Sequence, residues 1–154
     1  MNVRKAQQSD IPELKELYMG TVLTVNRKDY SQEEVEDWAS CGEDEAHLGE
    51  LIAGLYFVVA ENEQKQITGF TSITDEGYLH ALFVHKDFQG SGWATVLLEH
   101  IEQYAGNRGI REITSEVSET ARPFFERKGY IVEREQRRKA NRLRLKNYWM
   151  KKCL

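Results

Sequence analysis

Two glycines between an apolar run and a helical pattern make residues 89–94 the stretch of this sequence best suited to chemistry. The stretch reads Gln89-Gly90-Ser91-Gly92-Trp93-Ala94 and follows a strand-like segment that ends at Val84. The first N–H groups of a helix lack intrahelical partners and carry partial positive charge, and glycine lets a phosphate approach the backbone closely. The pattern fits a pyrophosphate cradle, and it fits equally well a glycine turn with a purely local role.

Two named phosphate motifs do not match this loop. The nucleotide P-loop ends in Gly-Lys-Ser/Thr, which is absent here. The dinucleotide fingerprint Gly-x-Gly-x-x-Gly/Ala accepts Gly90 and Gly92 but meets Thr95 at its last position. That fingerprint also requires a parallel βαβ array, whereas the segments before this loop read as an antiparallel meander. The sequence therefore argues against a dinucleotide-binding fold.

Hydrophobic periodicity and turn residues predict the elements that must position the loop. Ser9-Asp10 with Pro12 opens a first helix, and Ser31 with Glu34 forms a capping box for a second. Residues 40–50 read as acidic and irregular, with a possible short helix to Leu55. The predicted order is β-α-α-β-β-β-α-β-α-β-β, an α/β (α+β) fold with a mixed seven-stranded sheet. Beyond the helix that starts near Trp93, the expected strands are Val3–Ala6, Tyr56–Glu61, Gln66–Thr74, Tyr78–Val84, Ile113–Val117, Ile131–Lys139 and Arg142–Lys152, and a short helix is expected over Glu119–Lys128.

Length and composition predict a single domain over residues 1–154. The chain is 40% hydrophobic and 30% charged, which is the balance of a soluble globular protein. Cys41 and Cys153 are too few and too far apart for a disulfide framework or a zinc site, so no metal is expected. No apolar run approaches the roughly 20 residues needed to span a bilayer, and no signal core follows the N-terminus. We expect a cytoplasmic protein.

The charge of the chain is unevenly distributed. Residues 1–121 carry 9 Lys and Arg against 22 Asp and Glu, whereas residues 122–154 carry 12 against 3. A basic segment of this kind can bind nucleic acid. It can also be the solvated face of amphipathic strands, and the alternation of basic residues with Leu143, Leu145, Tyr148 and Met150 favours that interpretation.

Two stretches of the sequence together carry a family resemblance. The first is Gln89-x-x-Gly92-x-Ala94 after Leu82-Phe83-Val84, and the second runs from Ala121 through Phe124-Phe125 to Gly129-Tyr130. The first resembles the acetyl-CoA loop of the GNAT family of N-acetyltransferases, in its small bacterial branch, and the second resembles that family's second signature, a helix followed by glycine and an aromatic residue. The predicted element order matches the family fold over nearly the whole chain.

The resemblance implies a splayed pair of parallel strands, Leu79–Val84 and Ile113–Val117, with acyl-CoA between them. It assigns pantetheine contacts to the backbone of Leu82, Phe83 and Val84. The loop residue Gln89 and the pyrophosphate-binding amides of Gly90, Ser91, Gly92, Trp93, Ala94 and Thr95 would hold the cofactor's phosphates. The thiol end would lie between Ser118, Ala121, Phe124 and Phe125.

Transfer of an acetyl group to an amine requires a proton acceptor for the amine and a proton for the departing thiolate. Two-residue alternation is expected to place Tyr78, His80, Leu82 and Val84 on one face, which makes His80 the candidate base, unless it only hydrogen-bonds within the sheet. Glu116 is the weaker alternative. Many relatives supply the acid with a tyrosine where this chain has Phe125, so water or another group must protonate the thiolate, or it leaves unassisted.

The sequence thus predicts an enzyme, an N-acetyltransferase that moves an acetyl group directly from acetyl-CoA, its co-substrate, to a primary amine on a small molecule or peptide. Phe125 motivates a first alternative, an acyl-CoA-binding module with little catalysis. The basic C-terminal segment motivates a second, nucleic-acid binding, which we consider the weaker hypothesis. No membrane association is expected, and the chain is expected to be a monomer or homodimer.

Overall fold

The computed structural model describes residues 2–154, which form one mixed sheet with helices on both faces. Within these residues the spatial order of the strands is β1-β2-β3-β4-β5-β7-β6. The strands are β1 Asn2–Lys5, β2 Tyr56–Glu61, β3 Ile67–Ile73, β4 Tyr78–Val84, β5 Glu112–Ser118, β6 Ile131–Lys139 and β7 Arg144–Cys153. The helices are α1 Ile11–Thr24, α2 Gln32–Ser40, α3 Glu45–Gly54, α4 Trp93–Asn107 and α5 Arg122–Arg127. The predicted fold class and element order are confirmed, and α3 is an additional helix.

Local capping explains why α2 and α3 begin where they do. Ser31 Oγ accepts from the N–H of Glu34 at 3.1 Å, and the Glu34 carboxylate accepts from the N–H of Ser31 at 2.9 Å. This reciprocal capping box is the one that the sequence predicts. Asp44 caps α3 by accepting from the N–H of His47 at 3.0 Å. The segment predicted as mostly irregular therefore contains a helix of 10 residues.

The predicted helix over Glu119–Lys128 is wrong at its start, since α5 begins at Arg122. Pro123 lies in the first turn, where its missing N–H costs no helical hydrogen bond. A helix starting at Glu119 would place this proline in its interior. Ser118 Oγ instead accepts from the N–H of Ala121 at 3.1 Å, which turns the chain before the helix.

The core lies in separate apolar clusters on the two sides of the sheet. On one side α1 and α3 pack against the sheet, with Leu14, Leu17 and Phe70 buried in that cluster. On the other side α4 and α5 pack against it, with Ile101 and Phe125 among the buried residues. The sheet interior is continuous except between β4 and β5, and that interruption is where the candidate site lies.

Candidate active site

The two parallel strands β4 and β5 separate toward their C-terminal ends. They pair only at Tyr78 with Thr114 and at Leu79 with Ser115. Ser115 Oγ donates to the carbonyl of Leu79 at 2.9 Å at the last point of contact. Beyond it, a cavity of about 870 Å3 opens between the strands. The resemblance predicted this splay, and the strand register confirms it.

The cavity brings together the residues that the sequence predicted for the site. Both acid–base candidates line it, and so does every predicted cofactor residue except Ser91, which is exposed in the glycine loop. Contact with the cavity does not by itself assign a role to a residue.

Backbone direction decides which groups of β4 face the cavity. The N–H of His85 donates to the carbonyl of Thr68, in the neighbouring strand β3, at 2.8 Å. Because ladder bonds alternate along an antiparallel strand, Phe83 also directs its backbone toward β3, and Leu82 and Val84 direct theirs into the splay. The Val84 carbonyl already accepts from Thr21 Oγ1 at 2.9 Å and Gln89 Nε2 at 2.7 Å. The backbone groups available to a ligand are therefore the N–H of Val84 and both groups of Leu82.

The glycine loop is shaped by backbone conformation. Gly90 has φ +71° and Gly92 has φ +88°, and a Cβ at either position would meet no heavy atom of residues 2–154 within 4 Å. Glycine is therefore favoured here by its positive φ. The Gln89 amide bonded to Val84 holds the start of this loop against the end of β4.

The loop leads directly into the N-terminus of α4. The N–H of Val96 makes the first intrahelical bond, to the carbonyl of Gly92 at 3.1 Å. The N–H groups of Trp93, Ala94 and Thr95 precede it and have no intrahelical acceptor. The first turn contains no acidic residue. This end of the cavity therefore presents several backbone donors and a positive helix terminus to an anion.

The opposite wall of the splay is formed by the end of β5 and by α5. Ser118 accepts a hydrogen bond from Ala121, which leaves its own O–H available to donate. Phe125 is buried, with its ring edge-to-face against Phe124 at 5.5 Å and Tyr130 at 5.1 Å. It supplies an apolar surface and no proton, as its residue type requires.

Sequence analysis missed two polar groups on this wall. Thr120 Oγ1 and Asn147 Oδ1 are buried and have no hydrogen-bond partner within residues 2–154. Both residues line the cavity. Buried polar atoms are rarely left unsatisfied, so they fit a site that is completed by a polar ligand. No motif marks Asn147, since it reaches the cavity only through the pairing of β7 with Ser118 of β5.

The expected alternation around His80 is wrong because β4 contains a β-bulge. Ala81 pairs with Ser72 while Leu79 pairs with Ile73, which makes His80 the extra residue. A bulge shifts the side-chain alternation by one. Ala81 and Phe83 consequently pack toward α1 and α3, and Leu82 and Val84 pack toward α4. Tyr78 and His80 thus do not share a face with Leu82 and Val84.

The bulge exposes the His80 ring to the cavity, next to the point where the strands separate. Its ring lies edge-on to that of Tyr78, with centroids 6.2 Å apart. Partial desolvation by the walls of the cavity, and then the charges of His47 and Arg138, lower the pKa of His80 below its ordinary value of 6.5. The imidazole is therefore neutral at pH 7 and able to accept a proton.

Glu116 is a poorer proton acceptor because its carboxylate is already engaged. It forms an ion pair with Arg138 of β6 and is only 14% exposed. Burial and the charge of Glu116 together raise the pKa of Tyr78 to about 12. Tyr78 is consequently a neutral hydroxyl at physiological pH.

The acceptor side of the cavity, defined as the part facing α1, α2, α3 and the β6–β7 turn, is rich in aromatic residues. Tyr18 packs edge-to-face on Phe83 at 5.0 Å, and Tyr30 packs on Trp38 at 5.5 Å. These side chains both line the cavity and pack in the apolar clusters around it. The same aromatic side chains therefore contribute both to the wall of the cavity and to the core.

The other three histidines and Cys41 lie at different places in the structure. His47 and Cys41 lie at the mouth of the acceptor side, and burial raises the pKa of the Cys41 thiol. His85 is structural, since its Nδ1 accepts from the N–H of Asp87 at 3.0 Å. His100 lies on α4 and bonds to the Tyr56 hydroxyl at 2.9 Å.

Much of the basic C-terminal segment is paired with acidic residues. Lys152 contacts Glu102 at 3.0 Å, and Lys146 contacts Glu119 at 3.2 Å. Further ion pairs of this segment join Arg122 to Glu126, Arg138 to Glu116, Arg142 to Asp37, and Lys151 to Glu133. This pairing agrees with the interpretation of the segment as a solvated, ion-paired face.

A mixed seven-stranded sheet, opened between two parallel strands beside a glycine loop and a helix N-terminus, defines the class of GNAT-type acetyltransferases. Residues 26–152 match the family model described as an acetyltransferase (GNAT) domain. The chain belongs to the GNAT acetyltransferase family. The predicted family and enzyme class are thereby confirmed.

Individual proteins agree with this assignment. The chain is 28% identical over 151 residues to an uncharacterized N-acetyltransferase, YafP, of Escherichia coli K12, and this match covers 98% of the chain and 95% of YafP. A GCN5-related N-acetyltransferase from Rhodopseudomonas palustris superimposes with a TM-score of 0.95 at 29% identity, covering 99% of this chain and 95% of that one. The PaiA N-acetyltransferase of Thermoplasma acidophilum, solved in complex with coenzyme A, superimposes at 0.80 with 19% identity and covers 99% and 98%. Among residues 2–154, no helix is long and apolar enough to cross a membrane.

Proposed function

We propose that this protein transfers the acetyl group of acetyl-CoA directly to a primary amine. The observation that carries the proposal is the splay between β4 and β5, which ends at the glycine loop and the donor-rich start of α4. A long thioester with a diphosphate at one end matches this combination of a narrow cleft and an anion-binding terminus. The PaiA protein that shares the fold was solved with coenzyme A.

The chain's own groups would hold acetyl-CoA in three places. The loop amides from Gly90 to Thr95 would bind the diphosphate. The N–H of Val84 and the backbone of Leu82 would pair with the pantetheine amides, as a strand would. Ser118, Ala121, Phe124 and Phe125 would enclose the thiol end. The unpartnered Thr120 and Asn147 support this placement, since a polar ligand would satisfy them.

His80 would act as the proton acceptor for the amine. Most primary amines are protonated at pH 7 and cannot attack a carbonyl until they lose that proton. The neutral imidazole, exposed at the bulge, can take it directly or through one water. The amine nitrogen then forms a bond to the acetyl carbon and releases its second proton to water, and the carbon–sulfur bond breaks with its electrons moving to sulfur.

The thiolate would leave without a side-chain acid. Phe125 has no proton to donate. A thiol has a pKa of about 8.5, so the thiolate is a competent leaving group and can take its proton from water or from the protonated His80. Glu116 would contribute to the local charge and not to proton transfer, because Arg138 occupies its carboxylate.

Three statements on the domain, the acceptor and the partners belong to the same proposal. We propose that residues 1–154 form one catalytic domain, that the acceptor is a small molecule or peptide, and that nucleic acid is not a partner. The cytoplasmic location and a monomeric or homodimeric state stay predictions.

Two measurements test the proposal in sequence. Isothermal titration should show saturable binding of acetyl-CoA. A free-thiol assay over a panel of polyamines, amino acids, aminoglycosides and peptides should then show release of CoA that depends on the amine. Binding without amine-dependent release would favour the CoA-binding module instead. Failure to bind acetyl-CoA would refute both.

A further inference from the structure

The β6–β7 hairpin extends beyond the body of the sheet. Pairing of β7 with β5 stops at Asn147, whereas pairing of β7 with β6 continues to Lys139 and Arg144. The hairpin tip, which we define as residues 137–146, therefore has no neighbouring strand besides its own two. Lys139 and Ala140 of this tip line the acceptor side of the cavity.

The hairpin tip is poorly stabilised by its own cross-strand pairs. Arg137 lies opposite Lys146, and Lys139 lies opposite Arg144. Like charges directly opposite each other destabilise an antiparallel pair. At the base of the tip, Lys146 pairs with Glu119 and its carbonyl accepts from the Tyr30 hydroxyl at 2.6 Å. The turn itself lies beyond these contacts and needs an anchor of its own.

Asp37 of α2 provides that anchor. One of its carboxylate oxygens accepts from the backbone N–H groups of Asn141 at 3.0 Å, Arg142 at 2.9 Å and Leu143 at 3.0 Å. The carboxylate is only 2% exposed, and the Arg142 guanidinium approaches it to 3.4 Å. Burial alone would raise the pKa of the Asp37 carboxyl, but these N–H donors and the charge of Arg142 hold it below its usual value. The carboxylate therefore stays charged and fully bonded.

The anchor joins two walls of the acceptor side. Trp38 and Cys41, on either side of the end of α2, line the cavity opposite Ala140. Asn141 of the turn borders a smaller adjoining groove with Asp44 and His47. A second, weaker bond runs from Asn141 Nδ2 to Ser40 Oγ at 2.9 Å. The cofactor loop is not involved, because the Gln89 amide holds it to Val84.

We infer that Asp37 is a positioning residue for the acceptor amine, which sets the width of the acceptor side by fixing the hairpin tip against α2. The inference rests on the proposed function, since it assigns the walls joined by Asp37 to the amine. Asp37 touches neither reacting group and acts through the backbone of residues 141–143.

The test compares Asp37→Asn with two controls, using the best acceptor found in the amine panel. The Asn amide keeps the size of the side chain, but it removes the negative charge and places an NH2 group where the second carboxylate oxygen accepts from the Arg142 N–H at 3.0 Å and faces the guanidinium. Loss of hydrogen bonds to a charged group should raise the KM for the amine about tenfold or more. The Kd for acetyl-CoA should stay unchanged. Hydrogen exchange of amides 141–143 should accelerate.

Arg142→Gln is the matched control, because it removes the ion pair and keeps all three backbone donors. It should leave the KM for the amine and the exchange of amides 141–143 close to the wild-type values. Glu36→Gln, at an exposed neighbouring position on α2, should do the same.

Asn141→Ala keeps the inference testable if Asp37→Asn fails to fold. It removes only the exposed bond to Ser40, and it should raise the KM for the amine in the same direction by a smaller factor. A folded Asp37→Asn protein with wild-type KM and wild-type exchange would overturn the inference. If Asp37→Asn does not fold, a wild-type KM in Asn141→Ala would overturn it. Absence of amine-dependent CoA release in the wild type would refute the proposed function. Hydrogen exchange of amides 141–143 in Asp37→Asn would still test whether Asp37 fixes the hairpin tip against α2.

Discussion

The two ends of the cavity are built in different ways. One end, which would hold the diphosphate and the pantetheine of acetyl-CoA, is called the cofactor end here. It consists of backbone groups from one short stretch, in which β4, the glycine loop and the start of α4 follow one another along the chain. The acceptor side consists of side chains from α1 to α3 and from the hairpin tip. Asp37 and Leu143, which hold that side together, are 106 residues apart. A local backbone motif fits a constant ligand, whereas a wall assembled from distant segments can change without disturbing it.

The sharpest test of this difference is Gly92→Asp. We expect acetyl-CoA affinity to fall by roughly 10²-fold or more, because a carboxylate beside a diphosphate costs several kcal/mol. The new Cβ meets no heavy atom of residues 2–154 within 4 Å, so the effect should come from charge and from φ +88° and not from crowding in the protein. Isothermal titration measures it.

Gly109→Asp is the matched control for that variant. Gly109 has φ +77° and equally open surroundings just beyond the other end of α4. It therefore carries a similar backbone cost at a place far from the glycine loop. Wild-type affinity for acetyl-CoA in a folded Gly92→Asp protein, or an equal loss of affinity in both variants, would show that the glycine loop does not bind the diphosphate.

An effect of at least the same size, on turnover instead of cofactor affinity, is expected at the junction of the two ends. His80→Ala should lower kcat by about 10²–10⁴-fold, the usual contribution of a positioned base. The Kd for acetyl-CoA should hardly change, because the His80 ring lies on the other face of β4 from Leu82 and Val84. His100→Ala is the control, since burial also lowers the pKa of His100 but its ring bonds to Tyr56.

The pH profile provides an independent reading of the same residue. The folded pKa of His80 lies below 6.5, so the base is intact above that pH and activity should fall as pH drops through the lowered pKa. That acidic limb should disappear in His80→Ala. A His80→Ala enzyme with wild-type turnover and the same limb would reduce His80 to a sheet residue.

A smaller effect is expected from Phe125→Tyr. A new hydroxyl would be a potential acid for the thiolate, but Phe125 is 3% exposed and packed between the rings of Phe124 and Tyr130. We expect turnover to rise less than about 10²-fold, the lower limit for a positioned acid. Thermal unfolding of the variant serves as the control for the buried hydroxyl. A larger rise would show that thiolate protonation limits the wild-type enzyme.

The smallest expected signal is nucleic-acid binding by the basic segment. Because many of its cations are already ion-paired, as Lys152 is with Glu102, few remain to displace counterions. Gel shifts with duplex DNA and single-stranded RNA at about 0.15 M salt should show no complex. Sub-micromolar binding at that salt would support the alternative that the basic C-terminal segment binds nucleic acid.

Sequence reasoning reached the cofactor end because its signals are local. The glycines, the helix start and the strand before them are adjacent in the chain, and the family resemblance that they carry implied the splay that the register of Tyr78 and Leu79 confirms. The bulge at His80 was missed because nothing in an alternating strand marks the extra residue. Pairing with Ser72 and Ile73 decides it, and a sequence does not contain that pairing. Asp37 and Asn147 were missed for the same reason.

The position of β7 has a consequence for how the chain folds. Although it follows β6 in the chain, β7 lies between β5 and β6 in the sheet. β6 is therefore connected to the rest of the sheet only through β7, and the contacts of Asp37 with the turn close one of the longest loops in the molecule. Contacts of high sequence separation form slowly because their loop entropy is lost before they stabilise anything. During refolding, the glycine loop and α4 should acquire their structure first, and the acceptor side of the cavity should be the last part of the protein to form.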